Sequence, residues 1–234
     1  MLFLAKIIAI VNYQVFVQMT DWISRWKDGK IGWHRNQVNT KLVDFIQCLK
    51  LNPGDSVFVP LCGKSVDMLY LLEQGFKVIG VELSPIAAEQ FFTQSKIEYS
   101  IVKSSKFDIY TNDDISIYVG DYFDLDSSVL SLVTAVYDRA ALIALEIDLR
   151  QKYAQHLYSI IPTDCRVLLL TLNYPQSQMS GPPYALSKDE VELLFNKRFE
   201  YQQLFCINDI ENEPKFLRAG VDFVEKAVYC LHKK

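Results

Sequence analysis

No two cysteines in this 234-residue chain stand in a C-x-x-C spacing. The five that occur, Cys48, Cys62, Cys165, Cys206 and Cys230, are odd in number and far apart. That excludes a disulfide framework and a zinc knuckle, leaves no metal site to expect, and fits the reducing cytoplasm. A basic excess is also missing: Lys plus Arg is 24 against 28 for Asp plus Glu, a formal net charge of −4. Nucleic acid is therefore not an expected partner. Repeats, low-complexity tracts and linkers are absent as well. With 50% hydrophobic and 22% charged residues the chain is neither disordered nor a coiled coil, and its length suits one well-packed domain.

No hydrophobic run is long enough to span a bilayer. The most apolar stretch, residues 1–18 (MLFLAKIIAIVNYQVFVQ), is interrupted by Lys6, Asn12, Gln14 and Gln18. A span needs about 20 predominantly apolar residues, and a secretory signal wants a basic start and a small-residue cleavage site. The segment matches neither template, so stable membrane association is not expected. Residues 1–18 read as an extension, best explained by a mispredicted translation start, ahead of a domain at 19–234. A disordered or interfacial extension and an uncleaved anchor are the competing readings. Met19 opens MTDWISRWKDGKIGWH, in which Thr20 or Asp21 can cap a helix with Trp22, Ile23 and Trp26 on one face.

From residue 39 the pattern becomes regular. Asn39 can cap a helix carrying Leu42, Val43, Phe45, Ile46 and Leu49 at helical spacing. Residues 56–61 (SVFVPL) read as a buried strand, and Ser65 caps a helix that Gly75 ends. Residues 77–81 (KVIGV) are a second strand, and Ser84-Pro85 starts the next helix. Residues 107–110 and 115–119 flank a turn and suggest a hairpin. Strands at 132–137 and 166–172 (RVLLLTL) bracket a helix at 147–161. The loop at 176–183 (QSQMSGPP), a capped helix at 187–196 and strands at 201–207 and 227–231 complete the chain. Alternating buried strands and helices predict a single α/β domain with a mostly parallel sheet and an antiparallel edge.

Such a sheet binds ligands beyond the carboxyl ends of its strands. Glu82 ends the second strand, 19 residues after Gly63 in the loop after the first. An acid at about that separation can accept both hydroxyls of an adenosine ribose; a solvated strand-end carboxylate is the alternative. The loop lacks the glycines of a phosphate site. GKS is not preceded by the required Gly, since position 58 is Phe58, and G-x-G-x-x-G is absent. A ligand with adenosine but no phosphate fits better, and S-adenosylmethionine is one. Asp121 can then meet the adenine amine, with Tyr122 or Phe123 over the ring. Trp26 and Trp33 bracket the glycine-containing loop at 28–32 and read as ligand contacts, since a Trp face attracts a sulfonium. Trp22 reads as packing.

The segments WKDGKIGWH at 26–34, VPLCGKS at 59–65, GVELS at 80–84 and YDRAAL at 137–142 together resemble the thiopurine S-methyltransferase family, especially its bacterial members. The resemblance covers the chain from about Thr20 onward. It implies a Rossmann-like class I S-adenosylmethionine-dependent methyltransferase, with a seven-stranded, mostly parallel sheet and helices on both faces. It implies transfer of the methyl group to the sulfur of thiopurines or related aromatic and heterocyclic thiols by in-line displacement. Selenium or tellurium compounds, another small nucleophile, and a non-catalytic adenosyl-ligand protein are the alternatives. By position, Trp26, Leu61, Glu82 and Arg139 are cofactor contacts, with Asp121 and Tyr122 near the adenine. Arg139 is also the candidate catalytic group, favouring a thiolate acceptor. Trp33 stands where the family has an aromatic, usually Phe, facing the acceptor. Lys215 and Arg218 compete for a basic acceptor-pocket role. The expected protein is a cytoplasmic monomer acting on a small-molecule thiol or chalcogen acceptor.

Overall fold

The computed structural model describes residues 22–234, so the readings for residues 1–18, Thr20 and Asp21 lie outside the described residues. Residues 22–27 are helical (α1) and lead through turns to a second helix, α2 (Thr40–Phe45). Asn39 caps α2 as expected, its side chain accepting from the Lys41 N–H at 2.9 Å.

Among the described residues nine strands form one sheet: β1 (Ser56–Val59), β2 (Lys77–Glu82), β3 (Ser100–Lys103), β4 (Asp108–Thr111), β5 (Ile115–Val119), β6 (Val133–Arg139), β7 (Arg166–Asn173), β8 (Phe199–Asn208) and β9 (Glu225–Lys233). Their order is β3-β4-β5-β2-β1-β6-β7-β9-β8. The five strands from β5 to β7 are mutually parallel. β9 lies antiparallel between β7 and β8. The expected seven-stranded sheet is thus corrected to nine. The seven from β5 to β8 form a core, and the antiparallel β3–β4 hairpin extends it beyond β5. The order reverses at β1, whose neighbours are β2 and β6, and that is where such sheets open a cleft.

Helices cover both faces. On one side α2, α3 (Asp67–Glu73) and α4 (Pro85–Ser95) bury Leu42, Met68, Leu71, Ala88, Phe91 and Phe92 against Val57, Val59 and Val78. On the other, α5 (Ile147–Ile160) and α6 (Lys188–Phe195) bury Tyr153, Leu157, Val191 and Phe195 against Phe58, Val136 and Val167. β1 supplies both cores because successive side chains alternate between faces. A smaller cluster of Tyr174, Phe216, Val221 and Val224 fastens α7 (Pro214–Arg218) beside the end of β7. Ser65 acts one residue earlier than expected: Val66 precedes α3, and the Ser65 hydroxyl accepts from the Asp67 N–H at 3.3 Å. Among the described residues no helix is long and apolar enough to cross a membrane.

Candidate active site

Beyond β1 the chain turns sharply, with Leu61 at φ 47° and Gly63 at φ 55°, both left-handed. Glycine adopts that region without a Cβ penalty, and Leu61 does not. The Cys62 N–H is held by the Val81 carbonyl at 3.0 Å, which clamps the turn onto β2. Gly80 permits this approach, since a Cβ there would lie 2.8 Å from the Cys62 sulfur. Burial, with Glu82 nearby, pushes the Cys62 thiol well up, so it is no nucleophile.

The turn aims the Gly63 N–H at Glu82 Oε2, at 2.8 Å, and the Ser84 N–H reaches Oε1 at 2.8 Å. Glu82 is only 7% exposed. Burial raises its pKa, while the N–H groups of Ser84, Gly63 and Leu83 pull it back. A carboxylate has about four acceptor positions. Gly63 and Ser84 each donate to a different oxygen, and the remaining capacity can accept hydroxyls. These acceptors fit a ribose diol, and at 7% exposure Glu82 is not the solvated carboxylate of the alternative reading.

The aromatic segment closes over the same loop. A Cβ on Gly63 would stand 3.3 Å from the Trp26 ring. Trp26 meets Trp33 edge to face at 5.9 Å, and Trp33 meets Trp22 at 5.0 Å. All three indoles thus form one cluster, with Trp26 buried and Trp22 and Trp33 half-buried.

At the end of β6, alternation separates neighbours by face. Tyr137 and Arg139 point toward α3, where the Asp67 carboxylate accepts from the Tyr137 hydroxyl at 3.0 Å and pairs with Arg139 Nη1 at 3.5 Å. Asp138 points toward α5 and accepts from the Tyr153 hydroxyl at 2.6 Å and the Leu142 N–H at 3.2 Å. Burial raises the Asp138 pKa to about 6. His34 belongs to the same mouth: its pKa is lowered by burial and by the Lys64 and Arg139 charges.

The loop after β5 adjoins β2, its Gly120 N–H donating to the Glu82 carbonyl at 2.9 Å. Asp121 is half-buried and caps a short 3-10 turn through the Phe123 N–H at 2.9 Å. The Tyr122 ring is buried, stacked on Tyr153 at 4.8 Å, and it is Phe123 that lies exposed beside it. Lys215 donates to the Pro182 carbonyl at 3.0 Å, whereas Arg218 donates to Pro214 within its own helix at 3.1 Å. The structure thus brings Trp26, Trp33, Leu61, Glu82 and Arg139 around the first loop, sets Asp121 beside β2, and turns the Tyr122 ring into the core. Sequence reasoning missed Asp67, which looks like an ordinary acid in the first turn of a helix.

A family model described as thiopurine S-methyltransferase matches residues 17–234. A thiopurine S-methyltransferase of Nitrosospira multiformis is 42% identical over 210 residues, spanning 90% of this chain and 96% of its own. One of Xanthomonas axonopodis pv. citri is 42% identical over 213 residues, spanning 91% and 98%. Among solved structures, the 1,6-didemethyltoxoflavin-N1-methyltransferase of Burkholderia thailandensis, holding S-adenosylhomocysteine, superposes with a TM-score of 0.65 at 17% identity. That match covers 95% of this chain and 90% of the other, and shows a shared fold.

Proposed function

The chain belongs to the thiopurine S-methyltransferase family, and on that premise we propose that the cleft at the ends of β1, β2 and β6 binds S-adenosylmethionine beside a small thiol. The enzyme transfers the methyl group to the sulfur of thiopurines or related heterocyclic thiols. The observation that carries this reading is Glu82, a buried strand-end carboxylate whose two oxygens are each fixed by a backbone N–H of the adjoining loops.

Bound S-adenosylmethionine supplies an electrophilic methyl group on a positively charged sulfur. Glu82 receives the ribose hydroxyls, and Leu61 shapes the loop with its backbone. Asp121 meets the adenine amine, Phe123 covers the ring, and Tyr122 supports that loop from the core. Trp26 offers an aromatic wall against the sulfonium, an attraction of roughly 0.5–2 kcal/mol when desolvated. Trp33 faces the acceptor, and the Arg139 guanidinium favours its thiolate over its thiol. No proton need be taken from carbon, so the chain's work is alignment and exclusion of water. The enzyme acts in the cytoplasm as a monomer.

Purified protein with a labelled methyl donor and a panel of thiopurine thiols, selenols and oxyanions tests this. Transfer to thiopurine sulfur is expected. Donor binding without transfer to any acceptor would instead leave an adenosyl-ligand binding protein.

A further inference from the structure

Asp67 is 1% exposed, among the most deeply buried charged side chains of the described residues. A buried carboxylate is costly unless each oxygen is satisfied and its charge is met. Here two separate segments supply the partners. The Asn39 backbone N–H, at the start of α2, donates to Oδ1 at 2.7 Å. The Tyr137 hydroxyl donates to Oδ2 at 3.0 Å, and Arg139 Nη1 lies 3.5 Å from that same oxygen. Asn39 follows the segment that carries Trp26 and Trp33; Tyr137 and Arg139 end β6. Asp67 opens the helix that follows the Gly63 loop. One carboxylate therefore joins the three pieces of chain that surround the proposed transfer site.

The pairing with Arg139 is unequal. Guanidinium has five N–H donors in a fixed fork, and Asp67 meets it through one nitrogen. The Arg139 side chain remains 18% exposed while its partner is 1% exposed. So the buried end of the pair fixes the charge, and the exposed end keeps donors for something in the cleft. A long side chain held by one edge loses less freedom on meeting a second anion.

We propose that Asp67 is a positioning residue for methyl transfer: it acts through Arg139, orienting the guanidinium toward the cleft, and never touches donor or acceptor itself. This rests on the assignment of Arg139 to the transfer site made above.

The test is a double-mutant cycle on kcat/KM for a thiopurine acceptor at saturating donor, with melting temperatures measured alongside. Asp67→Asn keeps the shape and removes the charge, and is expected to lower kcat/KM by about tenfold when Arg139 is present. In an Arg139→Ala background the same substitution is expected to change kcat/KM less than about twofold, although the melting temperature falls in both backgrounds. Equal losses of kcat/KM in the two backgrounds would make Asp67 a structural residue and overturn the proposal. Full activity of Arg139→Ala alone would overturn the assignment of Arg139, and this proposal with it. Asp67→Glu, which keeps the charge and moves it by one methylene, serves if Asp67→Asn does not fold. Its loss must likewise vanish without Arg139.

Discussion

Glu82 at the end of β2 and Asp138 at the end of β6 are both buried carboxylates, but backbone N–H groups hold both oxygens of the first while a tyrosine hydroxyl takes one oxygen of the second. Both Glu82 oxygens rest on backbone N–H groups at 2.8 Å. Asp138 relies on the Tyr153 hydroxyl at 2.6 Å and a longer 3.2 Å bond from Leu142. Backbone donors fixed by a tight turn cannot rotate away, so the Glu82 carboxylate is held in one orientation, which the proposed ribose contact would use. A tyrosine hydroxyl belongs to a packed side chain, and Asp138, 1% exposed beneath α5, has no room for a ligand. Burial raises both pKa values, yet only Glu82 stands where a bound molecule can lower its pKa again.

Removing Glu82 breaks the contrast most sharply. Glu82→Ala is expected to weaken S-adenosylmethionine binding tenfold to a hundredfold, since hydrogen bonds to a charged group contribute about 1.5–3 kcal/mol. Calorimetry on the folded variant reads this directly, and unchanged affinity would remove Glu82 from the site. Acidification offers a second break. Ribose hydroxyls favour ionised Glu82, so donor affinity should fall as pH drops through its raised pKa. Binding titrations at a series of decreasing pH values, over which the protein stays folded, should show it.

For Asp138 the linkage has the opposite consequence for the fold. Its folded pKa of about 6 lies above the ordinary value of 3.8, so the native state holds the proton more tightly than the unfolded chain. Its stabilising contribution is complete below pH 3.8 and is lost as pH rises through about 6. Relative to Asp138→Asn, the parent protein should lose on the order of 2–3 kcal/mol across that window. Denaturant titrations at several pH values check the sign. A flat difference would mean that Asp138 ionises normally.

The smallest effect sharpens the comparison at the loop itself. Gly63→Ala places a methyl in a left-handed position, costing roughly 1–2 kcal/mol, and presses on the Trp26 ring at 3.3 Å. Donor affinity should fall several-fold with the melting temperature. An unaltered affinity would show that the loop and Trp26 yield without disturbing Glu82.

What the sequence disclosed follows the same division between backbone pattern and side-chain partnership. Continuous apolar runs such as RVLLLTL mark buried parallel strands, and β7 covers that run. The link between Gly63 and Glu82 was legible because strand, loop and acid keep a fixed spacing. β3 was missed because SIVK is four residues long and exposed throughout, with no alternation to read. The direction of the Tyr122 ring was illegible, because an aromatic after a strand can serve the cleft or the core, and here Tyr153 claims it. Asp67 gave no sign of burial, since its partners, Asn39, Tyr137 and Arg139, come from distant parts of the chain.

The hairpin that brings the sheet to nine strands bears on how copies of the molecule meet one another. Without it, β5 would offer a free row of N–H and C=O groups one strand away from Glu82. A second chain adding itself to that row would pull on β2, the strand that ends in Glu82. β4 fills the row, and the open margin moves out to β3. That margin is only four residues long and ends in Lys103, whose ammonium lies 3.7 Å from Asp108. Short, charged borders are poor templates for edge-to-edge aggregation. β2, with Glu82 at its end, is thereby kept three strands inside that border.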